Sequence, residues 1–109
     1  MYTLGAETDL PVIEAKGLRY HGSSWLLSYL VHKGIIKARA IDKVEALKAG
    51  ALVMSLENFV PASESTYAIK VAIDGALKAR ENGEDKVIVA EISGAGFLDL
   101  EAWGRKLEL

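Results

Sequence analysis

Apolar residues recur at helical spacing in several stretches of the chain and alternate or run together in others. Trp25, Leu26, Leu27, Tyr29, Leu30 and Val31 make a stretch from Trp25 to about Lys33 apolar on most sides. A helix of that kind is buried or lies at an interface. Ser23 and Ser24 precede it as candidate caps, and Gly34 fits the left-handed stop after its last turn. Asp42-Lys43-Val44-Glu45 has capping-box spacing and predicts a second helix to about Leu56. Val44, Leu47, Ala51 and Met54 form its expected core stripe, widened by Leu52, Val53 and Leu56. A third helix is expected from about Ser65 to Asn82, with Ile69, Ile73, Ala76 and Leu77 at helical spacing and Asn82-Gly83 as its stop. Asp99 is placed to cap a short last helix through Leu107.

Between these helices the period changes. Ile36, Ala38 and Ala40 alternate with Lys37 and Arg39, the pattern of a strand with one wet face. Phe59-Val60-Pro61-Ala62 reads as a short extended segment, because Pro61 keeps Val60 out of the helical region. Lys86 to Ile92, KVIVAEI, is a continuous apolar run rich in β-branched residues, the pattern of a central parallel strand covered on both faces. Strands separated by helices imply right-handed parallel crossovers. The expected fold is therefore α/β, a small parallel-sheet fragment with helices on its faces. Residues 1–22 show no sustained period and are punctuated by Gly5, Pro11, Gly17 and Gly22. They read as an irregular N-terminal arm, with 23–109 as a single α/β domain.

Composition narrows the chemistry. Of 109 residues, 50% are hydrophobic and 26% charged, the balance of a core-forming chain. A net charge of -2 gives no basic surplus for nucleic acid. The absence of Cys removes thiol nucleophiles and Cys-based zinc sites, and two His make a His-rich metal site unlikely on numbers alone. No apolar run nears the ~20 residues of a membrane span. Residues 1–15 lack the basic region and apolar core of a signal peptide. A cytoplasmic protein with no nucleic-acid or membrane partner is expected.

Two turns carry the candidate chemistry. Ser93-Gly94-Ala95-Gly96 follows the KVIVAEI run, where ligands bind in open α/β sheets; its glycines permit close backbone approach and Ser93 offers a hydroxyl. The same four residues also suit a plain strand-to-helix turn, and they complete neither a dinucleotide fingerprint nor a P-loop. Pro61-Ala62-Ser63-Glu64-Ser65 places Glu64 at a helix N-terminus, where a carboxylate is favoured with or without a ligand. If both turns lie at the same sheet edge, Glu64 and Ser93 face one crevice. Arg19 and His21 flank Tyr20 in Gly17–Gly22 and suit an anion, a ring or simple packing. No catalytic triad is available, and no lysine carries a motif marking a Schiff-base nucleophile.

Taken in order, Tyr2-Thr3-Leu4-Gly5, GLRYHG at 17–22, Val60-Pro61-Ala62-Ser63-Glu64-Ser65, Ile92-Ser93-Gly94-Ala95-Gly96 and Asp99-Leu100 resemble the C-terminal part of tryptophan synthase β chains, in particular their second, longer type. The resemblance runs over essentially the whole chain. It implies the C-terminal part of a fold-type II pyridoxal-phosphate (PLP) enzyme, a family joining L-serine to indole. It further implies that Ser93 meets the pyridine nitrogen of PLP, that Glu64 lies near the ring, and that Gly94 and Gly96 shape the wall around it. The Arg19–Gly22 loop would lie near a monovalent-cation region.

The Schiff-base lysine, the carboxylate that works on indole and the phosphate loop belong to upstream parts of that family and have no counterpart here. Within the shared part, Ala6 and Tyr67 stand where His is usual, Ala95 where His or Arg is usual, and Asn58 where Gly is usual. The expected function is an assembly or binding module without catalysis of its own. The alternative is one piece of a split enzyme that makes L-tryptophan with a larger PLP-bearing partner. A homo-oligomer is expected, with Trp25–Val31 as contact and the arm exchanged or draped across the partner. Whether the chain is an enzyme by itself is left open by these residues.

Overall fold

The computed structural model describes residues 1–13 and 15–107. Among the described residues four helices form: α1 Trp25–His32, α2 Lys43–Glu57, α3 Ser65–Glu81 and α4 Leu100–Leu107. Short 3-10 turns lie at Lys16–Leu18 and Gly96–Asp99. The chain divides into two compact units, Met1–Ala40 and Ile41–Leu109.

The expected parallel-sheet fragment is not there. Among the described residues the one β-type pairing is an isolated antiparallel bridge between Thr3 and Gly22. Residues 36–40 and 86–92 contain no strand. The reason is physical: a strand exists only when a neighbour takes up its backbone N–H and C=O groups, and neither segment meets one. A β-type residue pattern reports what a segment suits, not whether its partner is present.

In the first unit the arm folds back on its own helix. Leu4 N donates to His21 O at 2.6 Å and Ser23 N to Tyr2 O at 3.0 Å. Tyr2 N donates to Ser28 Oγ at 2.9 Å, and that hydroxyl donates to Ser24 O at 2.8 Å. Gly22 eases the close approach at the bridge, since a Cβ there would lie 3.0 Å from Tyr2 O. Ser24 caps α1 by accepting from Leu27 N at 3.2 Å. The apolar residues of α1 are not buried within this unit: Ser28 is the buried residue of the helix, and Trp25 is 73% exposed.

In the second unit Asp42 caps α2 by accepting from Val44 N at 2.8 Å and Glu45 N at 3.2 Å. The reciprocal half of the expected capping box is replaced, because Glu45 pairs with Lys48 at 3.4 Å. Asn58 ends α2 in the left-handed conformation, φ 57°. After Gly, Asn tolerates that conformation best, so the departure at this position keeps the turn. Gly83, φ +66°, follows α3.

The core is built from small side chains. Ala46, Leu47, Ala49 and Gly50 are the buried positions of α2, and Ser65, Thr66, Ile69 and Ala79 those of α3. Of the expected α2 stripe only Leu47 is buried; Val44, Leu52 and Leu56 are exposed. A Cβ on Gly50 would lie 2.5 Å from the Trp103 ring and 2.6 Å from Thr66 Cγ2. Trp103 of α4 thus rests on α2 where a side chain is missing, and it is 3% exposed.

Candidate functional site

Two turns of the second unit are locked together, the one before α3 and the one before α4. Ser65 Oγ donates to Ser93 O at 2.7 Å and accepts from Ser93 N at 3.1 Å. One hydroxyl satisfies both backbone groups of one residue, as a neighbouring strand would. Ser63 N donates to Asp99 Oδ2 at 2.9 Å. Ser63 Oγ lies 2.9 Å from the same oxygen and 3.2 Å from Glu64 Oε2. Its single proton serves one carboxylate at a time. Thr66 Oγ1 donates to Ser63 O at 2.7 Å, completing a buried polar seam of Ser63, Ser65 and Thr66.

The glycines serve this junction. Gly94 has φ +82°, and a Cβ there would sit 2.9 Å from Ala62 Cβ. Gly96 is buried, and its missing Cβ would fall 2.3 Å from Val60 O and 2.4 Å from Pro61 O. Both positions need glycine for the packing of one turn on the other, whatever else they line. Ser93 is exposed while its backbone is held from both sides, so its hydroxyl is presented from a rigid frame. Glu64 is half-buried beside Ser63.

The two turns are joined through Ser65 and Ser93, while the sheet edge on which they were expected to meet is absent among the described residues. Asp99 plays a different part from the one expected: its carboxylate is taken up by Ser63 of the facing turn. Arg19 and His21 are also occupied, Arg19 Nη2 donating to Leu10 O at 3.0 Å and His21 Nε2 to Thr8 O at 2.9 Å. These bonds tie the arm to itself. Sequence reading missed Asp99 and Ser65 as the clasp, Gly50 as the seat of Trp103, and a concavity of about 390 Å³ in the first unit lined by Met1, Tyr2, Trp25, Ser28, Tyr29 and His32. The buried serines carry no apolar signal, which is why periodicity could not find them. Among the described residues no group of His, Asp and Glu is arranged to hold a metal ion, and no helix is long and apolar enough to cross a membrane.

The two joined turns thus carry an exposed hydroxyl, Ser93, and a half-buried carboxylate, Glu64. No family model matches the chain. The chain is 47% identical over 108 residues to tryptophan synthase beta chain 2 of Methanothermobacter thermautotrophicus, covering 99% of this chain and 25% of that protein. It is 47% identical over 103 residues to the Thermotoga maritima protein of the same name, covering 94% of this chain and 24% of that one. With the Pyrococcus furiosus protein the identity is 46% over 108 residues, 99% of this chain and 24% of the relative. The chain belongs with the tryptophan synthase β chains, as a C-terminal fragment spanning about a quarter of the relatives it matches.

Ser93 carries an exposed hydroxyl on a turn held from both sides by Ser65, the kind of group that the ring nitrogen of pyridoxal phosphate would need; the sequence carries no phosphate loop and no lysine motif for the aldehyde.

Proposed function

We propose that this chain is a non-catalytic assembly module of tryptophan synthase β-chain type, contributing a cofactor-facing wall to a site completed by other residues. The observation that carries the reading is the clasp of Ser65 on Ser93 and of Asp99 on Ser63, which presents Ser93 outward from a fixed frame. Ser93 would meet the ring nitrogen of pyridoxal phosphate, with Glu64 near the ring and Gly94 and Gly96 holding the wall in place. When bound, that cofactor supplies the electron-withdrawing ring on which L-serine loses its hydroxyl and indole replaces it. A neutral hydroxyl at the ring nitrogen, unlike a carboxylate, leaves that nitrogen largely unprotonated.

A second reading makes the chain one piece of a split enzyme, active with a larger chain. The same clasp favours it, since an intact wall is useful only where the rest of a site comes to it. Two measurements separate the readings. Pyridoxal phosphate is titrated into the purified chain, followed by visible spectroscopy, borohydride reduction and mapping of labelled lysines. The expected result is no saturable band on a single lysine; a saturable single-lysine band overturns the module reading. Cofactor-dependent formation of L-tryptophan from L-serine and indole, seen only when a larger chain is added, would establish the split enzyme.

A further inference from the structure

Four rings, those of Tyr2, Trp25, Tyr29 and His32, line the concavity of about 390 Å³ in the first unit. Trp25, Ser28, Tyr29 and His32 stand three, four and seven residues along α1 and so share one face of it. Tyr2 is fixed to that face through its backbone. Its N–H donates to Ser28 Oγ at 2.9 Å, and its carbonyl accepts from Ser23 N at 3.0 Å. The bridge between Thr3 and Gly22 holds the next residue of the arm. The backbone that carries the four rings is therefore set before any ligand arrives, which lowers the ordering cost of binding. Tyr2, Trp25 and Tyr29 are each more than half exposed. Among the described residues the Trp25 indole N–H, the two phenols and the His32 imidazole make no hydrogen bond.

Size and charge select the occupant. The volume falls in the range of small-molecule sites, roughly 300–1,000 Å³, whereas a stable protein partner needs a much wider surface. Aromatic walls with a few polar tips suit a flat ring. No lining residue is acidic. Lys33, next after His32, holds its Nζ 5.7 Å from the centroid of the Tyr29 ring. An organic cation would meet that ammonium as a like charge, and a carboxylate would meet it as a partner. The negative end of α1 does not oppose the carboxylate, because its last carbonyls are already bonded. Those of Tyr29, Leu30 and Val31 accept from Lys33 N, Ile35 N and Gly34 N at 2.9, 3.0 and 2.9 Å.

We propose that this face of α1, together with Tyr2, is a binding site for a small aromatic carboxylate. The ring lies among Trp25, Tyr29 and Tyr2, and the carboxylate is met by Lys33 and an N–H of His32. The site does not depend on the assembly reading above. The test is a titration of the full 109-residue chain, labelled with nitrogen-15 and followed by NMR, with three probes of one shape and different charge. These are 3-phenylpropionate, 3-phenyl-1-propanol and 3-phenylpropylamine.

The acid is expected to shift the Trp25 indole peak and the Tyr2 and Tyr29 amides saturably, with a dissociation constant on the order of 1 mM or below. The Trp103 indole, 3% exposed, should not move. The alcohol should bind about 5-fold more weakly than the acid, and the amine more weakly still. Trp25→Ala should weaken the acid by about 10-fold or more, while Trp25→Phe keeps a ring and should stay within about 3-fold of the parent. Lys33→Gln, at an exposed position, should bring acid and alcohol to within about 2-fold of each other, and it carries the test if Trp25→Ala loses helix content. No saturable shift with the acid, an amine that binds as tightly as the acid, parent-like binding by a folded Trp25→Ala, or an undiminished preference for the acid in Lys33→Gln would each overturn the proposal. Peaks of this face that move on dilution without any probe would overturn it in favour of a second copy.

Discussion

Two apolar regions of the second unit behave in opposite ways. Where α2 meets α3, the buried residues are mostly small, Ala46, Ala49, Gly50, Thr66 and Ala79 beside Leu47 and Ile69, and the helices close on one another. Thr66 is bonded to Ser63 O and Ser65 to Ser93, whereas the buried indole Nε1 of Trp103, seated against Gly50, has no partner among the described residues. From Val87 to Leu100 the large apolar residues stand open instead: Val87, Val89, Phe97, Leu98 and Leu100 are all exposed. Residue size is thus a poor guide to burial in this chain. Small residues permit close approach of backbones, while the large ones of this stretch stay exposed. The difference is what a part of a larger protein would show, with one side finished and the other awaiting cover.

The comparison breaks most sharply if the finished side is tolerant. Gly96→Ala places a Cβ against the carbonyls of Val60 and Pro61, and backbone atoms cannot swing away as a side-chain tip can. A loss of about 3 kcal/mol in unfolding free energy is expected, read from a urea transition followed by far-UV circular dichroism. A loss near zero would mean that the two turns are not packed together. Asp99→Ala comes next. It strips the acceptor from Ser63 N and leaves a buried amide unpaired, at a cost of about 2 kcal/mol. Asp99→Asn keeps an acceptor in place and should recover more than half of that loss. If the two variants are equally destabilised, the carboxylate acts through charge and not as the clasp of the turns.

How much of this was legible in the chain depends on how local its cause was. The helix starts were readable because they rest on single side chains beside the helix: Ser24 before α1 and Asp42 before α2 form the expected caps. The stops at Gly34 and Gly83 were readable for the same reason, both having positive φ. The sheet was misread because Val87 to Ile92 has the residue pattern of a covered strand and the cover is not among the described residues. The α2 stripe was misread because the hydrophobic period finds large residues, whereas the contact runs through Ala46, Ala49 and Gly50. At the candidate site Ser93 and Glu64 could be picked out by resemblance, and their turn partners Ser65 and Asp99 could not. A clasp across 28 or 36 residues of chain leaves no mark on local spacing.

The smallest expected effect is the most discriminating. Val87→Thr swaps a methyl group for a hydroxyl at nearly constant shape, and at a buried position that exchange costs a hydrogen-bond partner as well as apolar burial. Val87 is 95% exposed, so in this chain alone neither cost arises. Its unfolding free energy should change by less than about 0.5 kcal/mol, and threonine suits a β-type backbone as well as valine does. A destabilisation of about 1 kcal/mol or more would mean that the open face is already covered in solution, by the chain itself or by a second copy. A null effect in the free chain, set beside a clear loss of stability in a complex with the remainder of a β chain, would assign the missing cover to that partner.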